Sequence, residues 1–127
     1  MPAKRMARGI RINVDGSVEF VHHDIKTDRI NDLIGGGYLE GMYFGPMAAP
    51  DSAVGFLDED GKRKNLPLNK VATDFASKEM KLRMGDYIAG PIVLFGSDEE
   101  GDVADVPNRF ITALGLKDET GPDKAKS

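Results

Sequence analysis

The stretch from Asp58 to Ala76, DEDGKRKNLPLNKVATDFA, constrains the fold of this chain more than any other. Phe56-Leu57 close an apolar run ahead of it. Asp60-Gly61 then predicts a tight turn, because glycine takes a positive φ without steric cost. Pro67 disfavours helix at Leu66, and Asn69 follows as a helix cap, its side chain placed to accept a backbone N–H two or three residues on. Leu68 before the cap, with Val71, Ala72, Phe75 and Ala76 behind it, gives a helix from Asn69 to about Leu82 its apolar face. Strand, turn, extended passage and capped helix is an architectural signal that specifies no chemistry.

The remaining bounds come from composition. A chain of 127 residues with 40% hydrophobic and 30% charged residues suits one globular domain with a modest core. It contains no cysteine, which excludes disulfides, thiolate catalysis and cysteine-based zinc sites. No apolar run approaches the roughly 20 residues that a membrane-spanning helix needs, and no apolar segment follows the basic start MPAKRMARGIR as a secretory signal requires. These features lead us to expect a cytoplasmic protein without a membrane partner. The net charge of −4 weighs against nonspecific nucleic-acid binding. Lys4, Arg5, Arg8 and Arg11 are segregated from Asp98, Glu99, Glu100, Asp102 and Asp105, which read as two solvated patches able to steer a charged partner.

Along the chain, residues 1–8 read as a flexible basic arm. From Gly9 the pattern alternates, with Ile10, Ile12 and Val14 on one face; Asp15-Gly16 supplies a two-residue turn, and Val18, Phe20 and His22 alternate on the return strand. Residues 24–34 predict a short helix capped by Asp24 or Thr27, with Ile30, Leu33 and Ile34 inward. Gly35-Gly36-Gly37 ends it. These glycines trail a helix and lead into a strand, the reverse of a phosphate-cradling loop. Tyr38, Glu40, Met42 and Phe44 then share one strand face, with Leu39 and Tyr43 on the other. Glu40 thus stands in an apolar row. Buried, it needs a partner or a raised pKa; an edge strand leaves it in water and is the favoured reading.

Val54 and Phe56 predict a fourth strand, and YIAGPIVLF (87–95) a buried one broken at Gly90-Pro91. An acidic loop spans 97–105. Pro107 opens a last helix with Phe110, Ile111 and Leu114 inward and Gly115 as its closure, and residues 117–127 read as a disordered tail.

Four short motifs occur in a particular order: Gly37-Tyr38-Leu39-Glu40; Asp58-Glu59-Asp60-Gly61-Lys62; Leu66-Pro67-Leu68-Asn69 with Ala72-Thr73; and Ile88-Ala89-Gly90-Pro91 with Ile92-Val93. This order resembles a family of small domains of unknown function found in bacteriophages, actinobacteria and mobile elements. The resemblance covers roughly residues 9–115 and implies a compact α+β domain in a phage or mobile-element setting, hence a host-cell cytoplasm, with no activity to carry over.

For chemistry, His22 and His23 are the only histidines, and as strand neighbours they point to opposite faces, so they do not share a metal. Asp58-Glu59-Asp60 and the 98–102 acids lack the ligand spacing of a calcium loop. No metal or cofactor is expected. The one ligand site with a mechanism is the helix start at Asn69 and Lys70, where free N–H groups and the dipole favour a phosphate or carboxylate, supported by Lys62, Arg63 and Lys64. Its bland counterpart is a helix cap behind a solvated turn.

The sequence therefore predicts α+β: a mostly antiparallel sheet of about five strands, an N-terminal β-hairpin, and two or three short helices on one face, forming a single domain over 9–116. Three functions are carried forward. First is a non-catalytic accessory protein of a phage or mobile element that binds a host or phage protein. Second is a binder of a nucleotide or other phosphate-bearing ligand through Asn69, Lys70, Lys62, Arg63 and Lys64. Third is a hydrolase using Glu40.

Overall fold

The computed structural model describes residues 6–24, 30–45, 52–79, 81–98 and 102–116. Among the described residues six strands and two helices follow one another as β1 (Met6–Ile12), β2 (Val18–Asp24), β3 (Leu39–Phe44), β4 (Ala53–Asp58), α1 (Lys70–Lys78), β5 (Ile92–Ser97), β6 (Val103–Ala104) and α2 (Asn108–Ala113), with a 3-10 turn over Ile30–Ile34. All pairings are antiparallel, in the order β2-β1-β5-β4-β3, with the short β6 added to β5. The expected α+β class, antiparallel sheet and N-terminal hairpin are all present.

Central β5 is the most apolar strand, and Ile92 to Phe95 are buried on both of its faces. On one face Ile10, Ile12, Leu57, Ile92 and Leu94 meet α1 and α2, where the rings of Phe44, Phe75 and Phe110 pack with centroids 5.2–6.3 Å apart. On the other face Ala7, Val21, Val93 and Phe95 meet Ile34 of the 3-10 turn. Both helices thus share one face, and the 3-10 turn covers the opposite one.

Several boundaries differ from expectation. Strand β1 reaches back to Met6, so Ala7 and Arg8 lie in the sheet; residues 1–5 are outside the described residues, as is the tail from 117. The hairpin turn is wider than two residues: Asn13 N–H donates to Ser17 O, and Val14 is an exposed turn residue rather than a core one. Asp24 is the buried last residue of β2, while Thr27 lies outside the described residues. Helix α1 ends at Lys78 instead of near Leu82, and Lys81 N–H donates to Ala76 O as the chain leaves it. Beyond the helix, Leu82 is partly buried and packs against the same core. Strand β6 was hidden inside the acidic stretch, whose residues 99–101 lie outside the described residues.

Two close backbone approaches fix the layout. Gly61 does not adopt a positive φ; Asn65, at +60°, does. Glycine is needed at 61 because a Cβ there would stand 2.6 Å from Ala89 O, so the 58–66 turn closes directly on the segment before β5. At Gly96 a Cβ would fall 2.1 Å from Asp105 O, and this approach lets the β6 segment lie against the sheet where Val106 N–H donates to Arg8 O.

Candidate functional site

The order strand, turn, helix over 58–76 sets two different environments. Asn69 is wholly buried. Its Oδ1 accepts from Ala72 N–H at 3.0 Å, the expected cap, while its Nδ2 donates to Ile12 O at 2.9 Å and to Gly90 O at 3.0 Å. The side chain therefore fastens the start of α1 to β1 and to the chain entering β5. Lys70, one residue on, is exposed and pairs with Asp74 at 3.1 Å.

The three cations of the turn each lie on a carboxylate. Lys64 reaches buried Asp58 at 2.7 Å, Arg63 reaches Asp60 at 3.0 Å, and Lys62 donates to Asp86. Hydrogen bonding from Lys64 and from Asp60 N–H holds the Asp58 carboxyl below its ordinary range against the opposing effect of burial. The Lys62 amine is held above its ordinary value first by Asp86, and further by the charges around it, Glu40 included. Its ammonium also lies 4.7 Å from the centroid of the Tyr87 ring.

Lys62 and Asp86 line a cleft of about 180 Å3 with Glu40, Asp58, Glu59 and Tyr87. Its apolar side is Met42, Leu57, Leu82, Ile88 and Ala89. Glu40 is exposed on β3, the last strand of the sheet order, in the edge position expected of it. The structure thus brings Glu40 and Lys62 to one cleft. Arg63, Lys64, Asn69 and Lys70 do not line it.

The β3 wall of the cleft, Glu40 and Met42, belongs to the edge strand of the sheet. Glu59 N–H donates to Tyr38 O, so in an antiparallel ladder Glu40, Met42 and Phe44 turn their backbone groups toward β4 while Leu39, Gly41 and Tyr43 turn theirs outward. Among the described residues no strand pairs with that outer side. Tyr38, Leu39 and Tyr43 are all exposed there, Tyr38 at 73%. Sequence reasoning singled out Glu40 and Lys62 separately; their meeting beside Asp86 and Tyr87 depends on the turn's approach to the 86–89 segment, which no local pattern encodes.

Elsewhere, His22 is exposed and His23 is buried against Phe95 on the opposite face, as their alternation requires. Among the described residues there is no group of three or more metal-ligating acids or histidines. No helix among them is long and apolar enough to cross a membrane. Residues 7–117 match a family described as a domain of unknown function, DUF3846. No curated protein and no solved structure matches the chain.

Proposed function

The chain belongs to the DUF3846 family, a domain of unknown function, and we propose that it is a non-catalytic accessory protein that docks an extended segment of a partner protein along β3. The observation that carries this reading is the outer edge of β3, six residues long with outward backbone groups at Leu39, Gly41 and Tyr43. An unpaired edge is a template for strand addition, with main-chain hydrogen bonds supplying affinity and alternate side chains supplying selectivity. Natural edges are commonly blunted by lysine or proline. Strand β3 has neither, and it adds exposed Tyr38, Leu39 and Tyr43. The proposed setting is the cytoplasm of a cell carrying a phage or mobile element; it rests on the resemblance of the ordered motifs, and gene neighbourhood tests it.

The direct test is affinity capture from host lysate with wild type and Gly41→Pro as parallel baits. Proline at 41 removes an outward N–H while leaving the inward bonds to β4 in place. A partner recovered by wild type and lost by Gly41→Pro, with the two baits melting at the same temperature, supports docking on β3. Equal recovery by both baits overturns it, and Tyr43→Pro repeats the test if the first variant melts early.

A phosphate-bearing ligand is the second reading, favoured by one observation: Lys62, Arg63 and Lys64 are all exposed on a single turn. Calorimetry against a nucleotide panel tests it, with loss of heat in the Lys62/Arg63/Lys64 triple alanine variant as the expected result.

A further inference from the structure

We propose that the cleft beside β3 is a subsite for a lysine or arginine side chain of the docked segment, and that Lys62 fills this subsite in the free protein. The inference rests on strand docking at β3 and names the chemistry of what docks. A segment added to the outer edge presents alternate side chains to the two faces of the sheet. On one face they meet Leu39 and Tyr43; on the other they pass Glu40 and Met42 and reach the cleft.

The charge of that cleft is unbalanced. Glu40, Asp58, Glu59 and Asp86 line it against one lining cation among the described residues, Lys62. From outside the lining Lys64 offsets Asp58 and the charge of Arg83 acts on Asp86, while Arg63 is taken up by Asp60, so the balance stays negative by one charge. A cationic side chain is the complementary occupant, and complementarity of this kind sets partner choice and register. Lys62 already shows how a cation sits here, its ammonium on Asp86 and 4.7 Å from the centre of the Tyr87 ring. The contact is readily exchanged. The Lys62 side chain is 51% exposed and that of Asp86 39% exposed, and ion pairs in such surroundings contribute little. An incoming ammonium or guanidinium can therefore take the Asp86 carboxylate and the Tyr87 face while Lys62 turns out to water. The floor of Met42, Leu57 and Leu82 receives the methylene stem, as apolar surface does for long cationic side chains.

The test uses the full chain and three hexapeptides: Ac-TVKVTV-NH2 and its analogues with norleucine or glutamate in place of lysine. Binding is followed by amide chemical shifts of Leu39–Phe44. We expect the lysine peptide to bind Lys62→Ala about tenfold more tightly than the norleucine one, the sum expected of one exposed ion pair and one cation–π contact. It should bind wild type only about twofold more tightly, since Lys62 gives up the same contacts there. The glutamate peptide binds most weakly, and the lysine preference shrinks with added salt. Lys62→Ala should tighten the lysine peptide several-fold and leave the norleucine peptide within about twofold. Three equal affinities at β3 would overturn the cation subsite and leave strand docking standing. Weaker binding of the lysine peptide to Lys62→Ala would also overturn it, since Lys62 would then be a ligand contact. If no peptide moves the β3 amides at millimolar concentration the subsite proposal fails, while the Gly41→Pro capture judges docking separately.

Discussion

At Asn69 the cap and the cross-link belong to the same amide, and they make opposite demands on a substitution. An aspartate there keeps the bond from Ala72 N–H but turns a buried carboxylate oxygen toward the carbonyls of Ile12 and Gly90. Asn69→Ala should cost about 2–3 kcal/mol, a lost cap plus unsatisfied buried groups. Asn69→Asp should cost at least as much, because a buried charge without a donor is worse than a gap; urea denaturation of both variants checks the order. The cap was legible in the sequence because it is local. The two long-range bonds were not, since nothing near Asn69 names Ile12 or Gly90. Asp58 gives a prediction in pH. Its carboxyl titrates below the ordinary carboxylate value in the folded protein, so its contribution is present above about pH 4, the unfolded value. That contribution fades as pH falls through the lower folded value. Asp58→Asn should therefore be less stable than wild type near neutrality, with the difference shrinking below about pH 4; melting curves from pH 7 to pH 2 read this directly.

Among the elements, the hairpin, β4, α1, α2 and the edge placement of β3 follow from periodicity and turn residues, and all appear in the expected order, with the start of β1, the hairpin turn and the end of α1 shifted. The differences arise where tertiary contact overrides local pattern. Val14 continues the alternation of β1, yet the turn over 13–17 takes it out of the ladder. Strand β6 is only Val103–Ala104 and is defined by its pairing with Gly96 and Ser97, a contact with no sequence periodicity behind it. That contact yields its own prediction. The Cβ of Gly96→Ala would stand 2.1 Å from Asp105 O, a backbone atom that moves only if the β6 segment moves. The variant should lose about 2 kcal/mol or more, the range of overpacked sites. Amides of Val103, Ala104 and Val106 should exchange faster while β2 is unaffected, which hydrogen exchange resolves.

On the scale of the whole molecule, the sheet has a covered centre and two ends of different character. Strand β2 ends one side with Val21, His23 and Asp24 buried and Glu19 and His22 exposed; β3 ends the other with Phe44 buried, Tyr38, Leu39 and Tyr43 exposed and a charged cleft beside them. This asymmetry supports the proposed docking at β3, and the charge of the cleft supports a cationic segment as the proposed occupant. Composition pointed to neither feature; Glu40 on an edge strand and Lys62 on the turn were readable in advance, but not their meeting in one cleft. The most direct measurement is residue-resolved amide exchange of the wild-type protein with and without saturating Ac-TVKVTV-NH2. Our account predicts slower exchange at the outward amides of Leu39, Gly41 and Tyr43 on binding, with β2 and the amides of residues 62–64 unchanged. Protection confined to β2 or to the 62–64 turn, with the β3 amides exchanging as in the free protein, would contradict it.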